Sequence, residues 1–166
     1  MRKLSEEELN DILKKQLGKL GTWAGAIGGF SGGGLLSGLG GALGGSSGAR
    51  WAAGKLRSGE YKDSLDLPYP MEDAIKTAAS ILGAMPKFFE WIHDNCHHDA
   101  PFVAALVGSG FFAMNPTIIC LEFAPTETTA TTVHLSALAK EGLINQKSAE
   151  KAVNQLKGLL LAECSR

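Results

Sequence analysis

Three of the four histidines lie within six residues, and this cluster is the first candidate for chemistry in the chain. Cys96 lies between His93 and His97, and on a helix the two histidines would share one face at positions i and i+4. Imidazole and thiolate groups are ligands that zinc and other transition metals prefer. His93, Cys96 and His97 are therefore a candidate metal site. A fourth ligand would have to come from elsewhere, and the alternative interpretation is the polar end of a helix.

A cysteine and a histidine also face each other on a predicted β-hairpin. Symmetric pairing of its strands places Cys120 opposite His134 and Glu122 opposite Thr132, with all four residues on one face. A paired cysteine and histidine can form a nucleophile. The pattern offers no group to orient the imidazole, and the neighbouring residues are typical of an ordinary half-buried strand. We therefore expect no catalytic residues and no enzyme activity.

The net charge, the cysteine spacing and the absence of familiar catalytic motifs argue against several classes of function. The formal net charge is −1, which gives no strong field to attract nucleic acid. The three cysteines have no disulfide-framework spacing, which is typical of a reducing compartment. No phosphate-binding loop, GxSxG or HExxH motif is present. We expect no nucleic-acid partner, and no cofactor other than zinc or another transition metal at the candidate site.

The longest uncharged stretch contains thirty residues between Lys19 and Arg50, and thirteen of them are glycine. One row of small residues recurs every four positions without a break: Gly21, Gly25, Gly29, Gly33, Ser37, Gly41 and Gly45. On a helix this spacing places small residues along one side, which lets a second backbone approach closely. Large apolar residues such as Trp23 and Leu39 would pack around that contact. The row therefore predicts an oligomer or membrane contact.

The segment from Gly21 to Gly45 resembles the glycine-zipper segments of membrane proteins and membrane-active peptides. The resemblance implies close helix contacts within lipid. A single helix over the whole stretch would be about 45 Å long, whereas the hydrocarbon core is about 30 Å thick. We therefore expect a helical hairpin with a break near residues 31–34. Two alternatives remain open, a hairpin buried in a soluble homo-oligomer and a flexible linker.

The sequence predicts four segments: 1–19, 20–49, 50–67 and 68–166. The first is an amphipathic helix with a capping box between Ser5 and Glu8. The second is the glycine-zipper hairpin, and the third is a charged connector. Basic residues flank the hairpin on both sides, which is typical of two ends on the cytoplasmic side of a membrane.

The segment 68–166 is long enough for an independent core and predicts an α+β domain. Apolar residues at helical spacing predict a helix from Met71, a short helix over Lys87–Asn95 and a last helix from Ala149 to Leu160. Three strands are predicted between the helices, over residues 102–112, 117–123 and 131–138. The expected fold is a three-stranded antiparallel meander with helices packed on one face.

Together these features predict a non-enzymatic, membrane-associated protein. In this interpretation the glycine-zipper hairpin drives self-assembly on the cytoplasmic side of a membrane, and the α+β domain is a soluble interaction module. The alternative is a soluble, cytoplasmic homo-oligomer that binds a small ligand or a metal. In both interpretations the chain is expected to have itself as a partner.

Overall fold

The computed structural model describes residues 5–19, 57–85, 96–99, 101–109, 115–127, 129–141 and 147–165. The chain divides into two compact units, Leu4–Arg57 and Ser58–Arg166, the second together with Met1–Lys3. The glycine-rich residues 20–49 and the expected helix Lys87–Asn95 lie outside the described residues, so both stay predictions. Within the described ranges, no helix is long and apolar enough to cross a membrane.

The first unit contains helix α1, residues 6–19. Its start has the expected capping box, because the Ser5 amide donates to Glu8 Oε2 at 2.7 Å and the Glu8 amide donates to Ser5 Oγ at 3.3 Å. These bonds satisfy amide groups that the start of a helix leaves without intrahelical partners. Leu13, on the expected apolar stripe, is fully buried. The prediction of an N-terminal helix is confirmed.

The second unit is built on one five-stranded sheet with the order β1-β5-β4-β3-β2. The strands are β1 Arg57–Leu67, β2 Cys96–Asp99, β3 Phe102–Ser109, β4 Asn115–Glu127 and β5 Ala130–Glu141. Strands β2 to β5 form an antiparallel meander. The α+β class is confirmed. The prediction of three strands is wrong, because β1 and β2 extend the meander at its two edges.

Strand β1 lies in the segment that the sequence predicts as a connector. Near its start, Ser58 Oγ accepts a hydrogen bond from Lys140 Nζ of β5 at 2.8 Å. Near its end, Asp66 Oδ1 accepts a hydrogen bond from Thr132 Oγ1 of β5 at 2.6 Å. The two strands therefore run antiparallel. The sheet begins at β1 rather than at residue 68, and a fragment 68–166 would lack an edge strand.

Helices α2 Met71–Ala84 and α3 Ser148–Cys164 pack on one face of the sheet. Side chains alternate between the faces along a strand, and odd-numbered residues of β3, β4 and β5 point to the helices. We call this side the odd face. Its core includes Ala74, Ala78, Leu82, Val103, Val107, Ile119, Leu121, Val133, Leu135, Val153, Leu156 and Leu160. The expected apolar stripe of α3 is confirmed except at Leu159, which is 42% exposed.

A polar contact ties β1 to α3. Lys157 Nζ donates to Asp63 Oδ2 at 2.7 Å and to the Ser64 carbonyl at 3.2 Å. The Ser64 amide also donates to Asp63 Oδ1 at 2.8 Å. The hydrogen bond from Lys157 is the main cause that lowers the pKa of Asp63, and the Ser64 amide adds to it. Because both donors favour the ionised carboxylate, the contact strengthens when Asp63 is charged.

This contact makes an acid-dependent contribution to stability. The folded-state pKa of Asp63 is lower than the unfolded value of about 3.9, so the contribution is present above that value and is lost as the pH falls through the folded pKa. We expect Asp63→Asn to lower the free energy of unfolding at pH 7, with the difference from wild type shrinking below about pH 4. Urea denaturation of both proteins at pH 7 and at pH 3 measures this difference in the free energy of unfolding. Glu60→Gln on the same strand is the control, and an equal pH-dependent loss in that variant would contradict the assignment.

Candidate functional site

Two residues of the expected metal site, Cys96 and His97, lie in a strand and not on a helix. Cys96 and His97 are successive positions of strand β2, opposite Ala105 and Ala104 of β3. The backbone of these two residues is therefore extended and does not have the helical arrangement that was expected. His93 lies outside the described residues, and the three-residue site stays a prediction. Within the described part of the chain, no three His, Cys, Asp or Glu side chains could together hold a metal ion.

The β4–β5 hairpin carries the second expected pair in a different register. Cys120 lies opposite Ser136, and Glu122 lies opposite His134. The pairing is therefore shifted by two residues from the symmetric arrangement that the sequence suggests. The cause is the position of the turn, because the strands pair as far as Glu127 and Ala130, and an extra residue of β4 lies between Pro125 and Glu127. A shift of two keeps the expected face but changes every partner.

The new partners weaken the nucleophile interpretation. Cys120 is 6% exposed, whereas His134 is exposed to solvent. The two residues are diagonal neighbours, for which Cα separations are about 7–8 Å. Glu122 is the residue across from His134, so a carboxylate and an imidazole share one row of the sheet. A buried cysteine is poorly accessible to a substrate, which does not favour a role as nucleophile.

The hairpin register can be tested with an engineered disulfide. Directly opposed residues have Cα atoms about 4.5–5.5 Å apart, within the range of about 4.4–6.8 Å that a disulfide accepts. In a protein that carries Cys96→Ser and Cys164→Ser, we expect Ser136→Cys to form a disulfide with Cys120 on oxidation. His134→Cys is the matched variant and should stay reduced. Mass spectrometry of the oxidised proteins distinguishes them, and efficient cross-linking of His134→Cys alone would mean that the symmetric register is correct.

The even-numbered residues of β1, β3, β4 and β5 form the other side of the sheet, which we call the even face. It carries a compact apolar patch: Ala104, Leu106, Ile118, Cys120 and Leu138. The register joins these side chains into two neighbouring rows, one with Leu106, Ile118 and Leu138 and one with Ala104 and Cys120. We call these five residues the even-face patch.

The even-face patch is shielded from water although it is not part of the helix-side core. Its five residues are between 3% and 6% exposed. None of them belongs to the cluster that contains α2 and α3. The β3–β4–β5 part of the sheet is therefore buried on both faces, which is unusual for an antiparallel meander.

Polar groups border the even-face patch at both ends of the strands. At one end lie Glu122 and His134, followed by a hydrogen-bonded chain in which Thr126 Oγ1 and Thr132 Oγ1 are 2.6 Å apart and Thr132 donates to Asp66. At the other end lies Lys140, which is two residues beyond Leu138 and only 8% exposed. The even-face patch therefore lies between the Glu122–His134 row at one end and the buried Lys140 at the other.

Sequence reasoning missed Lys140 and its hydroxyl partner on β1. The alternation of Leu138 and Lys140 could have placed both residues on one face. The partner is harder to find because the alternation of its strand is incomplete: Tyr61, Leu65 and Leu67 pack on the core, whereas Gly59 and Asp63 interrupt the apolar side. Strand β1 is recognised as part of the sheet from its pairing with β5.

Comparison with known proteins gives similarity in structure and not in sequence. No family model and no curated protein matches the chain. A structure of an uncharacterized protein from Bacillus thuringiensis has 9% identity and a TM-score of 0.36, over 64% of this chain and 96% of that chain. The structure of Ara h 8.0201 has 6% identity and a TM-score of 0.40, over 66% of this chain and 97% of that chain. At these identities neither structure assigns a function to this chain.

Proposed function

We propose that this chain is a non-enzymatic binding module that holds a small, mainly apolar ligand against the even face of its sheet. The observation that supports the proposal is the even-face patch, which is buried apart from the helix-side core. Small-molecule sites are concave, largely apolar and lined by a few polar groups that set orientation. A patch that lies between the Glu122–His134 row and Lys140 has this composition.

The exposed fractions of 3–6% belong to the chain without a ligand, so protein atoms already cover most of the patch. A ligand that binds there would have to displace part of this cover. Alanine, leucine, isoleucine and cysteine side chains offer apolar contact with almost no hydrogen bonding, which suits a hydrophobic body. Catalysis is less well supported, because Cys120 and His134 are not directly opposed.

The proposal can be tested by a substitution that places a larger side chain in the proposed site. N-phenyl-1-naphthylamine, a neutral apolar dye that fluoresces on leaving water, serves as the probe. Ala104→Leu adds bulk to the even-face patch, and we expect it to weaken dye binding by about tenfold or more, equivalent to about 1.4 kcal/mol. Ala105→Leu is the matched control on the odd face. It should cost about 1–3 kcal/mol of stability by overpacking the helix-side core and leave dye affinity unchanged.

Fluorescence titration of the full chain gives the affinities, and circular dichroism shows that each variant is folded. A folded wild-type protein that does not bind the dye would contradict the proposal. Equal loss of binding in Ala104→Leu and Ala105→Leu would also contradict it, because the dye would then report general loosening of the fold.

We also propose that the glycine-rich segment mediates self-association, at a membrane or in solution. The specific support is the unbroken row of small residues, in which Gly25, Gly29 and Gly33 are successive members. If the row is a helix contact, Gly29→Leu separates the two backbones and removes dispersion contacts along them. We expect that change to reduce the oligomer fraction. Leu39→Ala, on the row of large residues, should reduce it less.

Native mass spectrometry in detergent and in aqueous buffer measures the oligomer fraction. Loss of association in detergent alone supports a membrane contact, and loss in buffer supports a soluble oligomer. Identical oligomer fractions for wild type and Gly29→Leu in both media would exclude the contact at this position.

A further inference from the structure

The solvent-facing side of helix α3 carries a small apolar patch. Leu159 is 42% exposed and Leu161 is 46% exposed, and no other large apolar side chain of the described residues is exposed to this extent. Gly158 and Ala162 are exposed as well. These two small residues are four positions apart and lie on one line along the helix, with the two leucines on either side of that line. We call these four residues the α3 patch.

Within the described residues, nothing requires a glycine at position 158. A Cβ atom there would meet no atom within 4 Å, and the backbone φ is outside the left-handed region that favours glycine. Glycine inside a helix is less favourable than nearly every other residue. The missing side chain does let a second helix approach closely, because the distance between packed helices depends on the side chains at the contact. Gly158 therefore favours a contact with another helix.

We propose that the α3 patch binds the α3 patch of a second copy of this chain, as an antiparallel helix pair with a two-fold axis beside Leu160. The patch is symmetric about Leu160 along the helix, with one leucine and one small residue on each side. The two-fold axis places Gly158 of one copy opposite Ala162 of the other, with a pair of Leu159 side chains on one flank and a pair of Leu161 side chains on the other. Such a patch is complementary to itself, as a two-fold interface requires. The inference does not depend on the glycine-rich segment.

The charges of α3 favour the antiparallel direction. Every exposed position from residue 154 to residue 162 is uncharged, and the half-buried Lys157 is held by Asp63 of β1 at 2.7 Å. Lys151 is exposed one turn before this uncharged stretch. Antiparallel pairing about Leu160 separates the two copies of Lys151 by about 27 Å along the axis, whereas parallel pairing would place them side by side. A single helix pair buries less area than a standard interface, so we expect a weak dimer.

Sedimentation equilibrium of the full chain in aqueous buffer measures the dimer. Gly158→Gln places a long side chain on the line of contact, and we expect it to weaken dimerisation by about tenfold or more. The same change should raise the melting temperature, because glutamine favours a helix more than glycine does. Gly83→Gln on α2 is the matched control, since Gly83 is also exposed and its Cβ would meet no atom within 4 Å. It should leave dimerisation unaltered.

Cross-linking tests the direction of the helix pair. In a protein with Cys96→Ser and Cys164→Ser, a short bismaleimide should link two copies of Leu159→Cys, which lie about 3 Å apart along the axis. Lys151→Cys should not be linked. A monomeric wild type, equal dimerisation of wild type and Gly158→Gln, or linking of Lys151→Cys in place of Leu159→Cys would show that the inference is wrong. Association that is lost in Gly29→Leu and kept in Gly158→Gln would assign it to the glycine-rich segment alone and would also overturn the inference.

Discussion

The alternation of side chains along β3, β4 and β5 is the constraint on which the rest of the second unit depends. Odd positions such as Ile119 and Leu135 supply the surface that α2 and α3 cover, while even positions such as Ile118 and Leu138 supply the even-face patch. A slip of one residue between strands would exchange the two sets. Both sets are apolar in the centre of the sheet, so the register must be fixed by other residues.

Polar contacts contribute to the register between β4 and β5, through the Thr126–Thr132 hydrogen bond, and between β5 and β1. The bonds from Lys140 to Ser58 and from Thr132 to Asp66 fix β1 against β5 at two distant points. The ion pair between Lys157 and Asp63 fixes β1 against α3. These bonds add little energy one by one, but they penalise any shifted pairing. The helix-side core supplies most of the stabilisation through burial of apolar surface.

The sequence predicts the helices and strands whose own residues show a clear periodic pattern. It does not predict a segment that is recognisable as a strand only from its pairing with a neighbour. The Ser5–Glu8 capping box and the apolar stripe of α3 are local signals, and both helices are confirmed. Strand β1 has an apolar side only at Tyr61, Leu65 and Leu67, interrupted by Asp63, so its place in the sheet becomes clear from its pairing with β5. The Cys120–Ser136 pairing depends on an extra residue near Pro125, which symmetric counting cannot reveal. Residues Cys96–Asp99 form a strand because they pair with β3, and that pairing is not visible in the local sequence pattern.

The charged edge of the sheet bears on how copies of this chain could associate. An edge strand with unpaired backbone groups invites another strand, and charged side chains are a common protection against that pairing. Glu60, Lys62 and Asp66 are exposed on β1, and Glu60 pairs with Lys62 at 2.7 Å. Joining two such edges would desolvate these charged side chains. The proposed self-association is therefore more compatible with the uncharged stretch between Lys19 and Arg50 than with this charged edge. Assembly and ligand binding would then use different parts of the chain, so that either could change without altering the other.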